Sequence, residues 1–104
     1  MCMDAFLAIA EPRRRRILEL LASNGQLTAT EIYKKFNITA QAVSQHLKVL
    51  LDAKLVNMEK RAQQHIYRLN PEKMLEVGEW ALHTERMWDE RFERLGKVLE
   101  GKEL

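Results

Sequence analysis

The chain has 104 residues, of which 46% are hydrophobic and 31% charged, with four glycines and two prolines. This composition excludes a disordered or fibrous protein. The longest apolar run, Ala5 to Ala10, is far shorter than the roughly 18 residues of a membrane-spanning helix, and the only cysteine, Cys2, cannot form an internal disulfide. We therefore predict one cytoplasmic domain over residues 1–104, with no membrane partner.

The charge is unevenly distributed along the chain. The net charge is only +2, but residues 1–70 carry 11 basic and 6 acidic side chains, whereas residues 71–104 carry 6 basic and 9 acidic ones. A basic first part is typical of a protein that binds a polyanion such as DNA, although an excess of this size also occurs in proteins that bind nothing charged.

Two helices are predicted at the start of the chain. Asp4 can cap a short helix over Ala5 to Ala10, and Pro12 suits the first turn of a second helix that ends at Asn24-Gly25. The second helix begins with four arginines, residues 13–16, which repel one another and oppose the helix dipole. Two kinds of compensation are possible: nearby Glu11, Glu19 and solvent, or DNA phosphate and a partner's acidic surface.

A third helix is predicted from the capping box formed by Thr28 and Glu31. It extends to Phe36, and Asn37 can adopt the left-handed backbone that closes a helix. Thr28 and Thr30, and Thr39 at the start of the next helix, lie where hydroxyls and free amides could hold a phosphate, or they are simply caps.

The fourth helix, from Ala40 to about Lys54 with Thr39 as its cap, has two different faces. Its apolar face carries Val43, Leu47, Leu50 and Leu51. The opposite face is polar and contains no acid in its first two turns: Gln41, Ser44, Gln45 and Lys48. Glutamine can pair bidentately with adenine, and serine and lysine reach other base edges or phosphates, so this face has the chemistry to read DNA in the major groove. A merely solvated face is the alternative.

A β-hairpin is predicted directly after the fourth helix. Its strands cover residues 57–61 and 65–69, around the turn Ala62-Gln63-Gln64. A short helix, a tight turn, a second helix and a hairpin together indicate a winged helix-turn-helix, a mainly α fold with a small β-hairpin. Arg61 and His65 flank the hairpin tip and are candidate DNA contacts.

A long last helix is predicted from Pro71 to Gly96 or Gly101. Heptad spacing, interrupted by Glu85, connects Met74, Gly78, Ala81, Trp88, Phe92, Leu95 and Leu99. Burial of the large side chains, at ~1.5–3 kcal/mol each, requires a second chain or the first helix to cover them. We therefore predict a two-fold homodimer through the first and last helices, unless a different protein binds this stripe. The predicted interface consists of Phe6, Leu7, Trp80, Trp88, Phe92, Leu95 and Leu99.

Three segments resemble the ArsR/SmtB family of bacterial winged-helix repressors: Glu11-Pro12-Arg13-Arg14-Arg15-Arg16-Ile17-Leu18, Gln41-Ala42-Val43-Ser44-Gln45-His46-Leu47-Lys48-Val49-Leu50 and Ile66-Tyr67-Arg68-Leu69. The resemblance extends over about Met3 to Leu99. It implies a homodimer that binds double-stranded operator DNA, with the fourth helix in the major groove and the wing alongside. It also matches Ser44, Gln45 and His46 to the family's DNA-reading segment. The wing tip departs from the family pattern, because it is less basic and lacks the usual glycine.

Many members of the family release DNA when a metal binds to Cys-x-Cys-type ligands on the third helix, or to His and acidic ligands on the last. Here the third helix has no Cys or His and the last has only His83, so the resemblance favours the metal-independent branch, with no cofactor and an unknown inducer. A metal-responsive repressor and a winged-helix module used for protein contacts are the alternatives. Three scattered histidines and a lone cysteine, without a phosphate-binding loop, argue against an enzyme.

Overall fold

The computed structural model describes the backbone of residues 4–101 and the side chains of residues 4–94. Contacts within the chain form two compact units, one ending at Met74 and one beginning at Leu75. The helices and strands follow in this order: α1 (Ala5–Ile9), α2 (Pro12–Asn24), β1 (Leu27–Thr28), α3 (Ala29–Tyr33), α4 (Ala40–Asp52), β2 (Val56–Arg61), β3 (Gln64–Leu69) and α5 (Pro71–Gly101).

Three of the first four helices begin at the predicted caps Asp4, Thr28 and Thr39, and α2 begins at the predicted Pro12, with Glu11 as its cap. The Asp4 carboxylate accepts a hydrogen bond from the amide two residues later, at 2.8 Å. Thr28 and Glu31 form both hydrogen bonds of the capping box, at 3.1 and 2.9 Å. The Thr39 hydroxyl accepts from the amide three residues later, at 3.1 Å, and Pro12 is the first residue of α2. Each such cap typically contributes about 1 kcal/mol to stability.

The end of α3 differs from the prediction. The helix ends at Tyr33, three residues early, and the next residue, Lys34, keeps a right-handed backbone. The prediction of a left-handed backbone at Asn37 is wrong, because Asn37 does not have a positive φ. Instead, the amides of Lys35 and Phe36 donate to carbonyls three residues back, and the chain leaves the helix through these turns. Within residues 4–101, the only non-glycine residues with positive φ are Lys54 and Ala62.

The end of α4 is closed by a Schellman motif around Lys54. Lys54 has a φ of 63°, its amide donates to the Leu51 carbonyl, and the Leu55 amide donates to the Leu50 carbonyl, both at 3.0 Å. Leu50 and Leu55 are completely buried, which supplies the apolar contact that accompanies this motif.

The wing is a three-stranded antiparallel sheet in the order β1-β3-β2. β2 and β3 pair from Val56 opposite Leu69 to Arg61 opposite Gln64. The hairpin is therefore confirmed, but its tip is shorter than predicted, because Gln64 already belongs to β3. The two-residue strand β1, which pairs Leu27 with Tyr67, was not predicted, since two residues are too few to show an alternating pattern.

The core of the first unit is apolar and is built from several elements. Its largest fully buried side chains are Ile17, Leu21, Ile32, Leu47, Leu50, Leu55, Val43 and Val56. Because α4 contributes three of them from one face, its opposite face is directed outwards.

The second unit consists of α5 from Leu75 onwards. Its large apolar side chains are exposed where they are described: Leu75, Trp80, Leu82, Met87, Trp88 and Phe92. The side chains of Leu95 and Leu99 lie outside the described residues. None of the described helices, α5 included, combines the length and hydropathy that a bilayer crossing requires.

Candidate nucleic-acid interface

The outer face of α4 is exposed, as the sequence predicts. We call Gln41, Ser44, Gln45 and Lys48 the recognition face, and all four side chains are exposed. On the opposite face, Val43 and Leu50 are 0% exposed and Leu47 is 1% exposed. The recognition face therefore offers hydrogen-bonding groups and one positive charge without an acid, which suits contact with a polyanion.

The threonines at the helix starts have different surroundings. Thr39 is exposed at the start of α4, and Thr30 is exposed in the first turn of α3. Thr28 is half-buried, and its hydroxyl is already the cap of α3. The hydrogen bonds from the Thr28 amide and hydroxyl hold the pKa of Glu31 below its ordinary value. Thr28 is thus at least a structural cap, and phosphate contacts from these threonines stay predictions.

His46 lies apart from the recognition face. Its side chain is only 17% exposed, and its Nδ1 atom lies 3.4 Å from Nη1 of Arg14 and 4.0 Å from Oε2 of Glu11. The structure therefore groups His46 with α2, and a DNA contact from His46 remains a prediction. The sequence pattern gives Arg14 and Glu11 no specific role beyond charge compensation. Their proximity to His46 arises only from the packing of α2 against α4, which no local pattern shows.

Glu11 caps α2 and is the acid nearest to this group. Its Oε2 atom accepts hydrogen bonds from the amides of Arg13 and Arg14, at 2.7 and 3.1 Å. Partial burial acts to raise the pKa of Glu11, but these hydrogen bonds and the positive charge of Arg13 together hold it below its ordinary value.

The arginine run is compensated within the chain. Arg13 and Arg16 form ion pairs with Glu11 and Glu19, at 3.8 and 3.4 Å, as one of the two sequence interpretations expects. The guanidinium groups of Arg14 and Arg15 donate hydrogen bonds to the last carbonyls of α1 and to the carbonyl of Ala10. The sequence did not predict these contacts. The C-terminus of a helix is the negative end of its dipole, and positive charges placed there stabilise the helix. Both arginines therefore stabilise α1.

Three charged side chains of the wing, Glu59, Arg61 and Arg68, are paired with one another. Arg61 and His65 are exposed near the tip, but Nε of Arg61 lies 3.4 Å from Oε1 of Glu59. The other oxygen of Glu59 accepts from Nη2 of Arg68 at 2.8 Å, and Nε of Arg68 donates to Gln26 at 3.1 Å. Sequence reasoning overlooked Glu59, although its position two residues before Arg61 places both on one face of β2.

The predicted dimer residues are exposed in the single chain where they are described. Phe6 and Leu7 on α1 are 40% and 59% exposed, and Trp80, Trp88 and Phe92 on α5 are 54%, 64% and 64% exposed. Side chains this apolar are available for contact with another molecule, but the exposure alone identifies no partner.

Potential metal ligands are scattered in the described part of the chain. Within it, no three His, Cys, Asp or Glu side chains lie together in a way that could hold a metal ion. His83 is exposed on α5, and Cys2 lies outside the described residues.

The chain is similar to known regulators of transcription. A family model described as a helix-turn-helix domain matches residues 9–59. The chain is 35% identical over 80 residues to the transcriptional repressor SdpR of Bacillus subtilis strain 168, covering 77% of this chain and 88% of that protein. It is 38% identical over 64 residues to an arsenical resistance operon repressor of Staphylococcus xylosus, covering 62% of this chain and 61% of that protein.

A solved structure supports the fold independently. An ArsR-like transcriptional regulator from Rhodococcus sp. RHA1 superposes with a TM-score of 0.77 at 22% identity, covering 92% of this chain and 87% of that one. At this identity the likeness concerns the fold, and it confirms the predicted winged helix-turn-helix.

Proposed function

The chain belongs to the ArsR family of winged helix-turn-helix transcriptional regulators, and from that premise we propose that it is a dimeric repressor that binds an inverted-repeat operator. As a member of this family it is a DNA-binding regulator of transcription and not an enzyme. The repressor SdpR is among its relatives, which supports repression as the direction of control.

The observation that carries the proposal is the exposed, acid-free recognition face. α4 enters the major groove, where Gln41 and Gln45 pair with base edges and Ser44 and Lys48 contact bases or phosphates. The exposure of all four side chains supports this role, since a helix that reads bases must leave its reading face uncovered.

Sequence-independent contacts hold the protein on the duplex. Thr30 and Thr39 lie at exposed helix starts, where hydroxyls and amides suit phosphate oxygens. Thr28 is a weaker candidate because its hydroxyl is engaged as a cap. Arg61 and His65 approach the DNA backbone from the wing.

Two copies pair through α1 and α5. The apolar side chains that support this interface are exposed in the single chain: Phe6, Leu7, Trp80, Trp88 and Phe92. Leu95 and Leu99 continue the heptad stripe in the sequence. Because a two-fold dimer presents two recognition helices to successive major grooves, its half-sites are separated by roughly 34 Å or a multiple of it.

Regulation by a metal is the second candidate function, since the Staphylococcus xylosus relative is an arsenical resistance repressor. We propose the metal-independent alternative, because soft metals prefer thiolates and imidazoles and this chain has one cysteine and three histidines in all. Equilibrium dialysis against Zn²⁺, Ni²⁺, Cu⁺ and arsenite checks this. Tight stoichiometric binding of any of them would favour the metal-responsive alternative.

A winged-helix module that binds only proteins is the remaining alternative. Such a face would favour exposed Leu, Phe or Trp, whereas the recognition face contains only amides, a hydroxyl and an ammonium group.

Selection of binding sites from random DNA tests the proposal. We expect one enriched inverted repeat whose half-sites are protected together in a footprint. In the Gln45→Ala variant we expect the preference for that repeat over scrambled DNA to fall by a factor of about 5–150, which corresponds to ~1–3 kcal/mol for one bidentate base contact.

Affinity for scrambled DNA serves as the internal reference, and Ser23→Ala, at an exposed position near the end of α2, is the matched control. Equal losses of affinity for the repeat and for scrambled DNA in the Gln45→Ala variant would remove Gln45 from base reading. Enrichment of no sequence by the wild-type protein would reject sequence-specific binding altogether.

A further inference from the structure

We infer that Arg14 is a positioning residue that sets the orientation of α4 through His46, and that neither side chain touches DNA. The inference rests on the proposed function, because it assigns Arg14 and His46 a role in holding α4, the helix that carries the recognition face. It also reassigns His46, which the family resemblance matches to the DNA-reading segment.

Arg14, on α2, contacts two other helices, α1 and α4. It belongs to the first turn of α2, its Nε and Nη2 atoms donate to the carbonyls of Ala8 and Leu7 near the end of α1, and its Nη1 atom lies 3.4 Å from Nδ1 of His46 on α4. An arginine can only donate, so Nδ1 accepts and the ring proton of the neutral imidazole lies on Nε2. One planar guanidinium thereby connects the end of α1 to the middle of α4.

Both side chains of this connection are partly buried. Arg14 is half-buried, unlike its neighbours Arg13, Arg15 and Arg16, which are exposed, and the His46 side chain is 17% exposed. Glu11 completes the group, with Oε2 4.0 Å from Nδ1 of His46 and bound to the Arg14 amide. A charged donor in these surroundings needs its acceptors, so α4 is favoured in the orientation that keeps His46 beside Arg14.

The position of His46 in α4 makes that orientation matter for DNA. His46 directly follows Gln45 and precedes Lys48 by two residues. Any rotation or shift of α4 that separates His46 from Arg14 therefore also moves the side chains of the recognition face. Base reading depends on short, directional hydrogen bonds, whereas phosphate contacts tolerate such movements better.

Arg15 provides a matched control within the same turn. Its Nη1 atom also donates to the end of α1, to the Ile9 and Ala10 carbonyls at 2.7 and 3.2 Å. It carries the same charge as Arg14 but has no hydrogen bond to α4 among the described contacts. A comparison of Arg14→Gln with Arg15→Gln thus separates the connection to α4 from charge and from the anchoring of α1.

His46 offers a second comparison. In His46→Asn the amide oxygen lies nearly where Nδ1 was and can accept a hydrogen bond from Arg14. In His46→Leu an apolar side chain of similar size replaces the imidazole and offers no acceptor. These two variants keep the inference testable if the loss of Arg14 prevents folding, and thermal unfolding followed by circular dichroism identifies the variants that fold.

The experiment measures the affinity of each variant of the 104-residue chain for the selected inverted repeat and for a scrambled duplex over a range of salt concentrations. We expect Arg14→Gln and His46→Leu to reduce the ratio of the two affinities about tenfold, and Arg15→Gln and His46→Asn to change it less than about twofold. The double variant Arg14→Gln/His46→Leu should lose no more than either single variant, since both remove one connection. The dependence of log K on log salt should stay unchanged throughout.

Three results would overturn the inference. Arg15→Gln could lose as much specificity as Arg14→Gln, His46→Asn could lose as much as His46→Leu, or Arg14→Gln could lower the salt slope by about 0.9, the value for one lost phosphate contact. The Gln45→Ala variant separates this failure from that of the proposed function. If Gln45→Ala loses specificity and one of these results occurs, only the inference fails, whereas a wild-type protein without sequence preference overturns both.

Discussion

Glu59 pairs with two of the positively charged side chains of the wing. Its carboxylate is shared between Arg61 at 3.4 Å and Arg68 at 2.8 Å, and its side chain is 46% exposed. Exposed ion pairs contribute little to stability, so the pairing matters more for the charge of the wing than for its folding.

We predict that Glu59→Gln strengthens binding to scrambled DNA several-fold, because Arg61 is released to contact phosphate. The plot of log K against log salt should become steeper by about 0.9 for one additional phosphate contact. Filter binding or fluorescence anisotropy over a range of salt concentrations measures both effects.

The control is Glu19→Gln on α2, which makes the same charge change and releases Arg16 from a pair at 3.4 Å. If the two variants change affinity and slope equally, the wing has no special role in DNA contact and only net charge matters.

Glu31 makes the stability of the first unit depend on pH. Its hydrogen bonds to Thr28 hold the pKa of Glu31 below the ordinary value of 4.5, so the folded state binds this proton less readily than the unfolded chain. The stabilisation is therefore fully present above about pH 4.5 and is lost as the pH falls through the lower, folded-state pKa.

We predict that urea unfolding at pH 7, 5, 4 and 3 shows a smaller loss of stability on acidification for Glu31→Gln than for the wild type. Glutamine can still serve at this capping-box position but does not titrate there. Glu19→Gln, which removes an exposed acid without a cap, is the reference. An equally steep loss in Glu31→Gln and wild type would show that the capping box is not responsible.

At the level of elements, the Schellman motif after α4 holds a lysine where glycine is usual. Lys54 has a φ of 63°, a conformation that costs a residue with a Cβ atom about 1–2 kcal/mol. We predict that Lys54→Gly stabilises the protein by about 1 kcal/mol, which would raise the melting temperature by roughly 4–8 °C.

Lys54→Ala removes the same charge but keeps the Cβ atom, so its melting temperature should stay close to that of the wild type. Thermal unfolding by circular dichroism distinguishes the two variants. Similar melting temperatures for Lys54→Gly and Lys54→Ala would contradict the assignment of backbone strain to this position.

The elements that could be predicted from the sequence are those specified by local interactions. The caps at Asp4, Thr28 and Thr39 each involve an amide two or three residues away, so residue type and spacing are enough to find them. The apolar face of α4 could be predicted for the same reason, and its exposed opposite face followed directly.

The features that the sequence did not reveal depend on packing between distant segments. β1 pairs with β3 about forty residues later, Leu27 with Tyr67, and Arg14 reaches His46 across 32 positions. No local pattern records such distances. The wrong left-handed Asn37 has a related cause, because asparagine permits that conformation without requiring it.

At the scale of the whole molecule, the apolar stripe of α5 is the feature that most needs a partner. Trp88 and Phe92 are each 64% exposed in the single chain, and their spacing of four residues places them on one side of the helix. We predict that Trp88→Glu yields monomers by light scattering and weakens operator binding, because a buried charge at the interface lacks a counterion.

Arg86→Glu is the control, since it introduces the same side chain at an exposed position of α5 that is not a helical neighbour of Trp80, Trp88 or Phe92. It should remain dimeric and bind DNA like the wild type. A Trp88→Glu protein that stays dimeric would exclude α5 from the interface.

The hydrogen bonds from Arg14 and Arg15 to the end of α1 have a consequence for the order in which the structure forms. A five-residue helix is far too short to persist by itself in water, and α1 receives donors from Arg14 and Arg15 only after the first turn of α2 exists. The surface that carries Phe6 and Leu7 therefore depends on the formation of α2. If two copies pair through α1 as proposed, a chain in which α2 has not yet formed would lack the part of the interface that carries Phe6 and Leu7.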